Sequence, residues 1–341
     1  MTDLYGIAEV ILRFRVTRRN FLHLDSVTGQ ESLKSLAIRF WFESLRRRTG
    51  LATAYSLEQF FEPSSFKRDR HDSITSYRNK WIRYEDGIHR PQRGLLLLVE
   101  EKLHGSSRDL NHPLWKVLDL SDQKVMQGEG FLRTLAPSVQ AILFSPEDDA
   151  PLIQSGRLPV THVLLNRLLR NANLDGLACL AWLLREAVRE GYETVGICHA
   201  IHHVMLMLAM DLHAMNVARS ILQIVTERIL SLAMPEHRRI ALTIDEYIEA
   251  SKMLNVIVYF TPSGKESSLP WSKRARIMMQ LLDGKFGMDV YHALRGPFTI
   301  DERSPHLTDE LRRDGARRLK YRAWGWDCLR NKKDPDITTM P

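Results

Sequence analysis

The chain has 341 residues, a formal net charge of +7 and a sequence pI near 9.3; 44% of its residues are hydrophobic and 26% charged. That composition excludes a wholly disordered chain, a collagen-like fibre and a disulfide scaffold, and the length predicts two or three domains at roughly 150 residues each. Three widely spaced cysteines, Cys179, Cys198 and Cys328, with no CxxC pair, predict a reducing environment.

In chain order, Met1 to Asn20 lacks the shape of a signal peptide. Leu4, Ile7, Val10, Ile11 and Phe14 are spaced like a helix face and charges interrupt them, so a cytoplasmic location is expected. Ser32 to Arg48 is predicted helical, because Leu33, Leu36, Ala37, Phe40, Trp41 and Leu45 recur at three and four and Gly50 supplies a stop. Ser56 to Phe61 is a short helix ended by Pro63, and Ser64 to Asp72 a polar loop. A helix is predicted over Ser73 to Glu85, closed by Asp86-Gly87. After Pro91 come Gly94 to His104, a break at Gly105-Ser106-Ser107, and a short helix near Asn111 to Leu118.

Residues 121–159 carry Gly128, Gly130, Pro137, Pro146, Pro151, Gly156 and Pro159 and the acidic run Glu147-Asp148-Asp149, which predicts an irregular connection between a basic helical domain at 1–120 and a helical domain at 160–341. Helices are predicted over Pro159 to Asn171, Leu174 to Glu190, Glu193 to His213, Ala214 to Met234, Arg238 to Val258, Ser272 to Leu282 and Thr308 to Arg330. The run Val256 to Phe260 also fits a short strand. Val204 to Met210 is far shorter than the roughly 20 apolar residues of a membrane span, so none is expected. The predicted fold is mainly α, in two helical units, the C-terminal one a helical bundle.

Charge is unevenly spread. The first 120 residues carry a net +5, the last 101 a net +3, and the middle is nearly neutral. Residues 65–93 hold eight basic and four acidic side chains, and residues 303–333 hold ten and four. Such stripes fit a phosphate-backbone partner. In the second, Arg312, Arg313, Arg317, Arg318, Lys320 and Arg322 follow Asp309 and Glu310, and Trp324-Gly325-Trp326 puts aromatics beside them.

Within the first stripe, Tyr84-Glu85-Asp86-Gly87-Ile88-His89-Arg90-Pro91 resembles the segment after the recognition helix of lambda-repressor-type helix-turn-helix proteins. In that pattern the aromatic packs the recognition helix on the core, the glycine permits a left-handed helix end and the proline starts the next helix. The resemblance covers about residues 73–107 and implies duplex DNA contact through Ser76, Tyr77, Arg78, Lys80 and Arg83. Arg90 and Arg93 extend that basic surface, and Arg313, Arg317 and Arg318 form a second one. Upstream the pattern departs from the family: Glu62 to Asp72 is long for the tight turn.

Other chemistry is open at this point. Leu95 to Lys102 also fits a buried strand, and Asp86 with Glu100-x-Lys102 then resembles the metal site of restriction-endonuclease-like nucleases, where two carboxylates hold Mg²⁺ and a lysine orients water. His199 and His203, four apart, share a helix face and could ligate a metal; His202 and His213 share another. Cys198 and the nearby methionines favour a buried packing or subunit-contact helix. No GxSxG, GxxxxGK[ST] or strand-preceded GxGxxG occurs, which points away from an enzyme and from a bound cofactor. The expectation is a non-enzymatic DNA-associated protein, a regulator or an accessory subunit of a DNA-handling complex. The alternatives are a helical interaction or oligomerisation module built on residues 160–260, and the nuclease.

Overall fold

The computed structural model describes residues 32–68, 74–76, 79–144, 156–261, 269–294, 296–331 and 340–341. Among these the fold is mainly helical, and two apolar cores share one helix. That helix, α1 (Leu33–Thr49), begins where the Ser32 hydroxyl accepts the Ser35 N–H and ends at Gly50, whose φ of 73° lets its N–H reach the Arg46 carbonyl. Leu36, Ala37 and Phe40 face the larger core, while Ile38, Trp41, Phe42 and Leu45 face the smaller. One amphipathic helix with two apolar stripes therefore joins the two units.

The smaller core is closed by α2 (Ala54–Phe61), α3 (Trp81–Glu85), α4 (Arg93–Lys102) and α5 (Ser106–Leu110); between α2 and α3 the chain forms the antiparallel pair β1 (Lys67–Arg68) and β2 (Ile74–Ser76). Trp81 is fully buried at its centre. It stacks on Phe61 with ring centroids 5.4 Å apart and on Trp41 at 5.9 Å, and Tyr84 packs edge-on against both tryptophans. Burying each of these side chains contributes about 2 kcal/mol.

The helix predicted over Ser73 to Glu85 is corrected here. Among the described residues of that span only Trp81–Glu85 is helical. Ile74 and Thr75, β-branched and poor helix formers, lie in β2 paired with β1, and Asn79 takes a left-handed φ of 53° between strand and helix. Burial of Trp81 and Tyr84 at helical spacing produced the longer expected pattern.

The larger core contains α6 (Pro113–Leu118), α7 (Pro137–Leu143), α8 (His162–Arg170), α9 (Leu174–Glu190), α10 (Val195–Ala214), α11 (Ala218–Ile224), α12 (Ile244–Phe260), α13 (Trp271–Leu282), α14 (Met288–Leu294) and α15 (Asp309–Asn331). The stretch 121–159 contributes Val125, Met126, Leu132, Leu135, Val139 and Leu143 to this core. Helix α10 is long and apolar enough to cross a membrane by composition, but it packs between α9 and α12, and 67% of its apolar window is buried within the chain. The run Val256 to Phe260 is the last turn of α12, because Leu254 and Val258 are buried on one face. Beyond Ala233, β3 (Arg238–Ile240) pairs antiparallel with β4 (Phe298–Ile300), an element absent from the sequence expectation. All three cysteines are buried, and no disulfide joins them.

A polar bridge ties the two units together. Asp175 of α9 accepts Arg108 Nη2 at 2.7 Å and the Ala136 N–H at 3.0 Å, and its second oxygen lies 3.3 Å from His112 Nε2. Because His112 Nδ1 accepts the Leu114 N–H, its Nε2 carries the proton and donates to Asp175.

Candidate nucleic-acid interface

The expected site residues fall into two places. In the N-terminal unit, Ser76 ends β2, and Tyr77 and Arg78 lie outside the described residues. Lys80 is bound into the fold: its Nζ is 2.5 Å from Glu62 Oε1, and Glu62 Oε2 also accepts the Trp81 indole N–H at 2.9 Å. Arg83 is exposed beside His89 at 3.2 Å, Arg90 donates to Asn111 Oδ1 at 2.5 Å, and Arg93 is exposed at the start of α4. Tyr84 is buried, Gly87 takes a left-handed φ of 70°, and Pro91 precedes α4. A Cβ on Gly87 would lie 2.5 Å from Ser35 Oγ, so glycine is required there on two grounds. The helix before this turn, α3, has five residues, too short to lay a recognition surface along a major groove.

The nuclease constellation is not assembled. Residues 95–102 are helical, and Glu100 is spent on the main chain: it accepts the N–H groups of Gly105 at 2.6 Å and Ser107 at 2.7 Å and the Ser106 hydroxyl at 2.9 Å. These bonds, Ser107 first, hold its carboxyl down to about 2. Lys102 donates to the Phe60 carbonyl at 2.6 Å. Among the described residues no three His, Cys, Asp or Glu side chains gather as metal ligands. The histidine helix α10 is a packing element. His202 is fully buried between the Tyr247 hydroxyl, 2.7 Å from Nδ1, and the Leu294 carbonyl, 3.0 Å from Nε2, and burial holds its ring neutral.

Helix α15 carries the second basic surface. It has seven basic and four acidic side chains. Asp309 and Glu310 occupy its first turn, and Leu311 N–H bonds the Thr308 hydroxyl. Two glycines set its docking. A Cβ on Gly315 would meet Ile300 Cγ1 at 2.6 Å, and one on Gly325 would meet the Asp289 carbonyl at 2.5 Å and the Ala293 N at 2.7 Å. The helix thus lies against β4 and α14 more closely than any other side chain permits. Trp326 and Cys328 are buried beneath it.

The opposite face holds Arg313, Arg317 and Lys320, all exposed, and Arg312, also exposed, lies about a quarter turn away. At 1.5 Å per residue, Arg313 to Lys320 spans about 10 Å along the axis. Arg317 and Arg318 share Asp314 at 2.9 and 2.6 Å, and these pairs, the Arg317 hydrogen bond foremost, hold the Asp314 carboxyl below its ordinary value. Both arginines remain more than half exposed, so the pairs are weak and phosphate oxygens can replace them. Sequence reasoning found this helix but missed Gly315 and Gly325 as packing residues; glycine inside an otherwise strong helix, at a cost of about 1 kcal/mol, was the available signal. Comparison with protein-family models, curated proteins and solved structures returns no match, so the chemistry of the chain itself carries the functional argument.

Proposed function

We propose that this is a non-enzymatic DNA-associated protein, a regulator or accessory subunit, that holds a duplex backbone against the exposed face of α15. The observation that carries this reading is the row Arg313, Arg317 and Lys320 on one face of a helix locked to the fold by Gly315 and Gly325. A rigid row of cations gains affinity by releasing counterions without ordering its own scaffold. Contacts of this kind position a duplex and carry little sequence information. Arg83, Arg90 and Arg93 form a secondary contact. The test is a fluorescence-anisotropy titration of a labelled duplex with the wild type and with the triple variant Arg313→Gln, Arg317→Gln, Lys320→Gln. Binding at low salt that weakens by at least about tenfold in the variant supports the reading. No binding, or equal binding, sinks it.

A further inference from the structure

The C-terminal half of α15 forms one wall of a groove of about 900 Å³ whose other wall is the segment from β3 to the first turn of α12. It lies on a different face of the helix from Arg313, Arg317 and Lys320. Arg239, Arg322 and Arg330 line it, with Trp326 at its base. Two of these side chains hold buried N–H groups with no acceptor among the described residues. Arg322 uses Nε on the Ala293 carbonyl at 3.1 Å but leaves Nη2 unmatched, and Trp326, 6% exposed, leaves its indole N–H unmatched. A buried guanidinium N–H without an acceptor is costly, and the cost falls when an anion supplies the missing oxygen.

Acids also line the groove, and the charge of Glu246 bears on both Arg322 and Arg330. Glu246 accepts the Thr243 N–H at 2.8 Å and its hydroxyl at 3.0 Å, closing the α12 capping box. Glu249, just outside, takes Arg330 at 3.2 Å. Asp327 stands at the exposed lip. The N-terminal end of α12, a 17-residue helix, lies at the same place and carries Asp245 and Glu246 in its first turn.

We propose that this groove binds a phosphate group, with Arg322 as its deep ligand and Arg239 at its mouth. A phosphate offers acceptor oxygens to the guanidinium groups of Arg239 and Arg322 that line the groove, and the groove has room for part of the molecule that bears it. That bearer is either a free phosphate compound or the phosphorylated end of a nucleic-acid strand.

Isothermal titration of the full chain tests this with inorganic phosphate and pyrophosphate, and with one oligonucleotide carrying or lacking a terminal phosphate. Saturable binding of the phosphate compounds assigns the free source; preference for the phosphorylated oligonucleotide alone assigns the strand end. Either affinity should fall by about tenfold in Arg322→Gln. Arg239 is exposed, so Arg239→Gln keeps the fold and gives a second reading in the same direction. The triple variant of the α15 outer face should bind phosphate as the wild type does, which separates this site from duplex binding. Absence of saturable binding to every probe, or unchanged affinity in Arg239→Gln and Arg322→Gln, overturns the proposal.

Discussion

Replacing Glu100 by Gln separates a structural cap from a metal ligand. The carboxylate accepts two main-chain N–H groups and one hydroxyl from the turn that starts α5. Its carboxyl falls from an ordinary 4.5 to about 2. At about 1.4 kcal/mol per unit that shift corresponds to ~3 kcal/mol. The side chain keeps 31% exposure, so solvent screening reduces its contribution to stability to about 1–2 kcal/mol. The sign follows from linkage. A carboxyl with a depressed folded pKa contributes fully above its unfolded value and loses that contribution as pH falls toward the folded one. Glu100→Gln should therefore unfold more easily than the wild type by a constant amount above about pH 5, and the gap should close as pH falls from about 4.5 toward about 2. Urea denaturation followed by tryptophan fluorescence reads this, since Trp41 and Trp81 sit in the core that α4 and α5 close. Mg²⁺ should leave the gap unchanged. A gap independent of pH, or one that depends on Mg²⁺, refutes the capping role.

Three further outcomes are expected. Lys80→Met should leave duplex affinity within about twofold of wild type while lowering stability, because Lys80 answers Glu62 within the fold; anisotropy and denaturation together check it. Gly325→Ala should cost about 1–3 kcal/mol, because the new Cβ meets the backbone of Asp289 and Ala293, and a lowered melting temperature measures this. His202→Phe leaves the Tyr247 hydroxyl and Leu294 carbonyl without partners and should cost about 2–4 kcal/mol. Because burial lowers the folded His202 pKa, wild-type stability should fall as pH drops below about 6.5, where the unfolded chain takes up the proton, and His202→Phe should flatten that slope. Denaturation midpoints compared at two pH values on either side report it.

The mainly α architecture was legible because local signals agreed. In α1 and α9 the apolar spacing, the Ser32 and Asn173 caps and the left-handed glycines at 50 and 191 all mark the same boundaries. The failures share a cause in non-local structure. Ile74 and Thr75 belong to a strand paired with Lys67–Arg68, while Trp81 and Tyr84 kept a helical spacing that masked the change. Arg238–Ile240 pairs with a strand almost sixty residues away, and no local pattern announces that. Glu100-x-Lys102 satisfied a short motif, but its environment is decided by Gly105 and Ser107 on the following turn. The α15 groove was invisible because it is assembled from segments distant in the chain. Its basic outer stripe was visible because charge patterning on one helix is a local property.

The most direct test of the proposed DNA association is the salt dependence of duplex binding. Each neutralised phosphate adds roughly 0.9 to the steepness of log affinity against log salt, so Arg313, Arg317 and Lys320 together contribute about −3 to the slope. Removing them in the triple glutamine variant should make the slope shallower by about 3. Equal slopes in the two proteins, or no binding at about 50 mM salt, would contradict the assignment of α15 as the DNA-contacting element.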